Sequence, residues 1–593
     1  MKINFKHILF ILLILLLALP LMQHAFKWIP VRPLNGDFVL VQRPEYSWAK
    51  WMDGSFQIQF DRYIEDHIGF RPFFVRLNNQ LDFTLFRKAN AEGVVVGKNN
   101  MLYEYDYIRA YTGNDFIGKA TLDKKLNRFL FLQHYLKTRS DIDLILALEP
   151  GKARTYPENI PDSYLKKGKS LSNYEYISQK ANELGINLLD LNRIFVNARD
   201  TATYPLYPLY GIHWSEHTMP FVADTLISFM ENIRKIDMPD FFVKKIIIND
   251  SLADSDYDIG NTINLLFDLP HQPMPYPVFG FNTDTSKTKP MVLAVADSYY
   301  WNFFNTRIPA HLFANEAFWY FNARVYPDFY FQEKWTSDLD LKTEVEKQDI
   351  ILLSVTERFL YKFDWNFIDQ LYELYTPEYT GDIVYNYENQ IRLDAGWFDS
   401  IVLKIENQGI SLGEAIRKEA YYQSWMQEPE IFLTWYGRDH FKNVISNDVN
   451  WVNDIRKKAE NQKVTFEEQL EKDADYVFEK EYPEIYKLNR LIEKFRESIY
   501  ADSAWLRQVI EKADYYLMPV DEMVKVDAEY LARQELSKSP LREDRIRYYE
   551  QRIMDDPEWL ELVKVKASEQ GKTLEEMIRE DAVFMTDQEK ETK

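Results

Sequence analysis

Met291-Val-Leu-Ala-Val-Ala-Asp297-Ser298-Tyr-Tyr-Trp-Asn302 is the stretch on which the fold turns. Its opening apolar run lacks the alternation of a half-exposed strand, which is the pattern of a parallel strand covered on both faces. Such a strand ends at Asp297 and Ser298. In an open α/β sheet the carboxyl ends of the strands border the ligand crevice, and the amides opening a following helix can receive a developing oxyanion. Ser298 is therefore the candidate nucleophile, with Asp297 beside it as a second candidate catalytic residue. The competing reading is that one of the two only caps a helix from Tyr299.

Working outward, residues 142–148, 186–191 and 349–355 have the composition of further buried strands. Helical patterns at 122–136 and 173–184, and a helix that Ser215 could cap, alternate with them. That alternation calls for a mostly parallel sheet with helices on both faces. Residues 48–87 read as amphipathic helix, with Phe56, Phe60, Phe73, Phe74, Leu77 and Leu81 expected to pack on the main domain. Gly93-Val-Val-Val-Gly-Lys-Asn-Asn100-Met-Leu-Tyr103 reads as a β-hairpin. The segment before Met291 reads as irregular. Within it, Asp254-Ser-Asp256-Tyr-Asp258-Ile-Gly260 alternates aspartates but misses the EF-hand pattern, with glycine one residue late and Leu265 at the twelfth position. Those aspartates read as solvated or capping, and no metal is expected.

The chain has 593 residues, so at least two domains are expected. Its 71 Lys and Arg against 92 Asp and Glu give a net charge of -21, which argues against a nucleic-acid partner. With no cysteine, disulfides, Cys-ligated zinc and a thiol nucleophile are excluded. Lys2 and Lys6 precede a leucine-rich apolar run over 8–22, the pattern of a signal anchor over residues 1–29 with the rest of the chain outside the cytoplasm. The run is shorter than the about 20 residues of a typical span, so a cleaved signal is the alternative.

From residue 385 a different architecture begins. Trp397, Trp451, Trp505 and Trp559 recur every 54 residues, with Ile391, Ile445, Ile499 and Ile553 before them and Lys404, Lys458, Lys512 and Lys566 after. Glu419, Asp473, Asp527 and Asp581 keep the same interval. Ser411-x-x-Glu414, Thr465-x-x-Glu468 and Thr573-x-x-Glu576 are capping boxes, with Pro519 in the corresponding place of the third unit. Four helical units in register imply a stacked array, expected to bind a protein or to self-associate. The tryptophans at helical spacing read as core, and the Lys and acidic residues as ion pairs between units. The expected division is thus 1–29, a helical and hairpin segment over 30–120, an α/β domain over 121–384, and repeats over 385–593.

A serine nucleophile needs a base. Of nine histidines, His213 in Tyr210-Gly-Ile-His213-Trp-Ser215 is best placed, in a Pro- and Tyr-rich loop ahead of a helix. The His-Trp-Ser element, the later Ala-Asp-Ser-Tyr element, Lys152 with Tyr156-Pro-Glu158, Gly93-Val-Val-Val-Gly-Lys98 and Asp349-Ile-Ile-Leu-Leu together resemble the alginate O-acetyltransferase family of AlgJ/AlgX type. The likeness covers roughly residues 45–380. It implies an SGNH-hydrolase-like three-layer α/β sandwich in the periplasm, in which Ser298 takes an acetyl group and His213 removes its proton before transfer to a polysaccharide hydroxyl. It also implies a membrane-bound O-acyltransferase partner as acetyl donor, since acetyl-CoA is not expected there and no cofactor is called for.

One departure from the family pattern stands out: the family has Asp-x-His, and here Gly211 occupies the aspartate position. Glu149, Asp190 and Glu216 are the candidates to orient the histidine instead. Lys152 and Arg154, just past the 142–148 strand, are candidates to bind an anionic substrate. The rival readings are a non-catalytic polysaccharide-binding or assembly scaffold with a decayed triad, and a carbohydrate acetyl esterase.

Overall fold

The computed structural model describes residues 5–36, 39–166, 168–282, 284–376, 382–405, 409–538 and 542–591. The chain divides into two compact units, Met1–Tyr372 with Ala395–Glu414, and Glu373–Asp394 with Ala415–Lys593.

The first unit contains, in chain order, β1 (Val94–Val96), β2 (Leu102–Glu104), β3 (Asp143–Glu149), β4 (Leu188–Asp190), β5 (Phe241–Asn249), β6 (Met274–Phe281), β7 (Val292–Ala296), β8 (Ala317–Tyr320), β9 (Arg324–Tyr326) and β10 (Ile350–Thr356). The central sheet runs β4-β3-β10-β7-β8-β9, parallel throughout except for the antiparallel β8–β9 pair. Both faces are covered, which explains the unbroken apolar runs. Ile145 and Ala147 of β3, Val292, Ala294 and Ala296 of β7, and Ile350 and Leu352 of β10 join one core with Val222 and Leu226 of the Met219–Arg234 helix. Their neighbours Leu144, Leu146, Leu293, Val295, Ile351 and Leu353 are equally buried, and strand alternation points them to the opposite face. The Lys119–Ser140 helix packs against β3. The result is a layered, mostly parallel α/β domain.

Around this sheet the chain departs from expectation in three places. The 48–87 segment forms the helices Trp48–Met52, Ser55–His67 and Arg71–Phe86, but of these residues only Arg76, Asn79 and Phe83 are buried. Phe73, Phe74 and Leu81 face outward rather than onto the domain. The segment before Met291 is ordered: β5 and β6 form an antiparallel ribbon with a bulge between Val243 and Lys245, and the Asp254–Thr262 helix, kinked at Tyr257, lies between them. Finally, Ser215 does not cap a helix; its Oγ donates to Pro205 O at 3.0 Å, and a 3-10 turn at Glu216–Thr218 leads into the next helix. The β1–β2 hairpin follows expectation, turning through Asn99 and Asn100 at positive φ and burying Val95, Leu102 and Tyr103.

Ahead of all this, the Phe5–Phe26 helix is long and apolar enough, over Lys6–Phe26, to cross a membrane.

The second unit is helical among its described residues. The Val449–Gln462, Ser503–Tyr516 and Pro557–Gln570 helices begin at equal intervals, and each is opened by an aspartate. Asp448 accepts from the amides of Asn450 and Trp451, Asp502 from those of Ala504 and Trp505, and Asp556 from that of Trp559. Trp451, Trp505 and Trp559 are half-buried. The recurring ion pairs Lys458–Asp473, Lys512–Asp527 and Lys566–Asp581 join neighbouring helices within one unit, not successive units.

Candidate active site

Ser298 follows β7 at the carboxyl edge of the sheet, where β3 and β10 also end. Beneath it Asp297 is fully buried and takes three hydrogen bonds: Tyr299 N at 3.0 Å, Thr356 N at 2.8 Å and Thr356 Oγ1 at 2.8 Å. Asp297 thus ties the turn carrying Ser298 to the end of β10, and among the described hydrogen bonds it makes none to His213. Burial raises its pKa, against the lowering effect of those bonds. Glu149, at the end of β3, accepts from Ser354 Oγ at 2.6 Å and lies 3.1 Å from Thr356 Oγ1. Burial, followed by the charge of Asp297, pushes its pKa well above the usual range. With its described hydrogen bonds going to Ser354 and Thr356 and none to His213, Glu149 is a strut, not an orienting carboxylate for histidine.

The amides after the serine are also committed. Tyr299 N donates to Asp297 Oδ1, Tyr300 N to Asp297 O and Trp301 N to Ser298 O. The expectation that this helix end offers them to an oxyanion is corrected.

His213 meets the serine from the opposite side, with Nε2 3.1 Å from Ser298 Oγ. The loop that carries it is held at every neighbouring residue. Tyr299 OH donates to Ile212 O at 2.7 Å, and Tyr107 OH donates to Tyr299 OH at 2.8 Å. Trp214 is buried and its Nε1 donates to Tyr299 O at 3.3 Å. Lys152 Nζ donates to Gly211 O at 2.7 Å and to Leu209 O at 3.1 Å.

The third group is Asp258, in the short helix between the ribbon strands. Its Oδ2 lies 2.8 Å from His213 Nδ1, while its Oδ1 accepts from Ile212 N at 2.8 Å and Ile259 N at 2.6 Å. Both carboxylate oxygens are thereby aimed, one at the histidine ring and one at the backbone that carries it. His213 and Asp258 side chains remain 19% and 28% exposed, so a substrate can reach the pair. Serine, histidine and aspartate in this connected order can activate the hydroxyl, hold the histidine in one tautomer and stabilise the imidazolium that forms.

Gly211 gains a meaning here. A side chain at 211 would collide with Ser255 O and crowd Pro208 Cγ at 2.6 Å and Asp256 C at 2.8 Å. The bare glycine is what lets the Asp258 segment come close. The carboxylates nominated from sequence lie elsewhere: Asp190 accepts from Tyr174 OH, Ser178 Oγ and Arg193 N, and Glu216 from Ser255 Oγ. Reading by sequence missed Asp258 because 45 residues separate it from His213. The alternating aspartates were the available signal, and the apparently irregular stretch around them hid it.

Lys152 and Arg154 are engaged internally rather than with an open crevice. Lys152 is 1% exposed, and burial pushes its pKa down to about 7. Arg154 pairs with Glu357 at 2.6 Å, donates to Ser172 Oγ at 3.1 Å and stacks over the Tyr174 ring. Both are supports of the loops bordering the site.

No protein-family model matches the chain. It is 25% identical over 189 residues to the probable alginate O-acetylase AlgJ of Pseudomonas aeruginosa, a match covering 32% of this chain and 46% of that protein. The chain thus spans about half the length of the curated relative it matches. Solved structures similar to it include the O-acetyltransferase domain of Pseudomonas putida AlgJ, at 16% identity and TM-score 0.31 over 47% of this chain and 98% of that one. Pseudomonas aeruginosa AlgX is similar at 14% identity and TM-score 0.31, over 46% of this chain and 67% of that one. The sequence similarity is therefore to a protein of the AlgJ/AlgX type, over part of the chain.

Proposed function

We propose that this chain is an O-acetyltransferase acting on an exported polysaccharide, held at the membrane by the Phe5–Phe26 helix with its bulk in the periplasm. The observation that carries the proposal is the position of His213, 3.1 Å from Ser298 Oγ on one side and 2.8 Å from Asp258 Oδ2 on the other. The partial similarity to a probable alginate O-acetylase supports the acyl group and the acceptor class.

In the first half-reaction Ser298 Oγ attacks the acetyl carbonyl carbon of a donor while His213 Nε2 takes the hydroxyl proton. Asp258 faces Nδ1–H, fixes the tautomer and stabilises the imidazolium. The tetrahedral intermediate collapses, the donor oxygen leaves with the proton from His213, and Ser298 carries the acetyl ester. In the second half-reaction His213 takes the proton of a sugar hydroxyl, whose oxygen attacks the ester carbonyl. Collapse frees Ser298, which recovers its proton from His213. A membrane-bound O-acyltransferase is the proposed source of acetyl groups.

The scaffold reading rested on a missing carboxylate, and Asp258 supplies one. Incubating the protein with an activated aryl acetate tests the mechanism. Wild type is expected to release the aryl alcohol, and Ser298→Ala and His213→Ala to lose that release. Folded wild type that is as inert as both variants would overturn the catalytic reading. Adding oligosaccharide acceptors separates transfer from hydrolysis: acetylated sugar supports the transferase, and release of acetate alone supports an esterase.

A further inference from the structure

The second half of the Phe5–Phe26 helix is fastened to the α/β unit. Gly69, in the turn between the Ser55–His67 and Arg71–Phe86 helices, lies so close that a Cβ there would collide with Pro20 O and meet His24 N at 2.6 Å and Gln23 Cβ at 2.8 Å. His24 Nδ1 lies 2.6 Å from His67 O. Buried Gln23 donates from Nε2 to Ile29 O at 2.6 Å and accepts from Ile29 N at 3.2 Å. The apolar helix and the turn after His67 are therefore one body.

That body encloses an apolar cleft of about 570 Å³, lined by Leu16, Leu19, Ile29, Phe70, Phe73 and Phe74 among others. Leu16 lies ten residues before the helix end, about 15 Å along its axis. A membrane's hydrocarbon core is about 30 Å thick. The cleft therefore runs from Leu16, which lies at hydrocarbon depth wherever this helix spans, to Ile29 beyond the helix end. Phe73 and Phe74 are 41% and 47% exposed, with Leu85 and Phe86 at the end of the same helix 66% and 72% exposed. Two arginines line the cleft: Arg32, whose exposed side chain lies 3.9 Å from Asp268, and Arg76, whose guanidinium is turned onto Arg32 O, Pro33 O and Asn264 Oδ1. The internal hydrogen bonds of Arg76 are of the kind a low-dielectric surrounding demands of a charge.

We infer that the Arg71–Phe86 helix is a membrane-embedded element and that the cleft it forms with the Phe5–Phe26 helix takes lipid acyl chains. The inference rests on the anchored reading above and adds to it: the α/β unit is seated in the bilayer surface and not tethered above it.

The absence of cysteine allows a clean test on the full-length chain. Single variants Phe74→Cys, Ile11→Cys and Phe331→Cys, each carrying an environment-sensitive fluorophore, are reconstituted into phosphatidylethanolamine and phosphatidylglycerol vesicles containing acyl-chain spin-labelled lipid. Phe331 is 90% exposed and serves as the aqueous reference. The Phe74 probe is expected to be quenched severalfold more than the Phe331 probe, with blue-shifted emission. If the Ile11 probe is quenched but the Phe74 probe behaves like that at Phe331, the inference fails while the anchor stands. If the Ile11 probe is also unquenched, both fail. The vesicles hold no other protein, so quenching at position 74 requires lipid alone, and retained secondary-structure signal in each variant excludes unfolding.

Discussion

Asp258→Asn keeps an acceptor for Ile212 N but removes the charge that faces His213 Nδ1–H. An amide there stabilises neither the correct tautomer nor the imidazolium, so a loss on the order of 10⁴ in the acylation rate is expected with the fold intact. Stopped-flow measurement of aryl acetate turnover, beside an unchanged circular dichroism spectrum, checks it; near-wild-type turnover would remove Asp258 from the mechanism. Lys152 gives a second expectation. Its pKa is lowered from 10.5 to about 7, first by burial and in opposition to the charge of Asp258. The unfolded chain therefore binds more protons than the folded one between those values, so this residue makes stability rise with pH across that window. The stability of wild type minus that of Lys152→Met should climb from pH 7 to pH 10 in denaturant titrations, and a flat difference would count against a buried, deprotonating lysine. The places of Ser298 and His213 were legible because a strand end and a loop ahead of a helix are local patterns. Whether Lys152 and Arg154 reach a crevice or a backbone carbonyl depends on burial, which no local pattern encodes.

At the scale of single elements, helix starts read well wherever one side chain supplies the missing hydrogen bond. Thr465 and Glu468 form the reciprocal box that their spacing predicts. Thr465→Ala should lower the stability of the second unit by about 1 kcal/mol. Lys458→Met, which breaks the pair with Asp473 at a half-exposed lysine, should cost less than about 1 kcal/mol. Thermal unfolding of the two variants side by side tests that ranking, and the reverse order would assign the unit's stability to its ion pairs. Ser215 shows where the same reasoning fails, since a tertiary acceptor, Pro205 O, competes for the hydroxyl. β5 shows another failure. Every residue after Phe241 in it is exposed, and a reading that looks for burial cannot find a strand that buries nothing. Lys244 and Lys245 interrupt its apolar run, a common protection of an open edge.

For the molecule as a whole, the groups proposed to react all come from one stretch, with His213, Asp258 and Ser298 and their described hydrogen-bond partners lying before Glu357. A chain ending at Glu414 is therefore expected to keep aryl acetate turnover, measured on the monomeric fraction after size exclusion. A detergent-solubilised, folded truncation without turnover would show that residues after Glu414 are needed for turnover. Sequence made the change of architecture visible because strands and a strict helical interval are patterns of different period. It left the surroundings of the apolar N-terminal helix unread, since an amphipathic segment looks the same whether its apolar face meets a core or a bilayer. Gly211 finally constrains which substitutions the site can take. An aspartate placed at 211 would run into Ser255 and Asp256, and one lost at 258 would leave His213 without this partner, so the two positions cannot be exchanged one at a time. The glycine, the ribbon and the aspartate it presents form one linked set, and losing the ribbon would remove the carboxylate that faces His213.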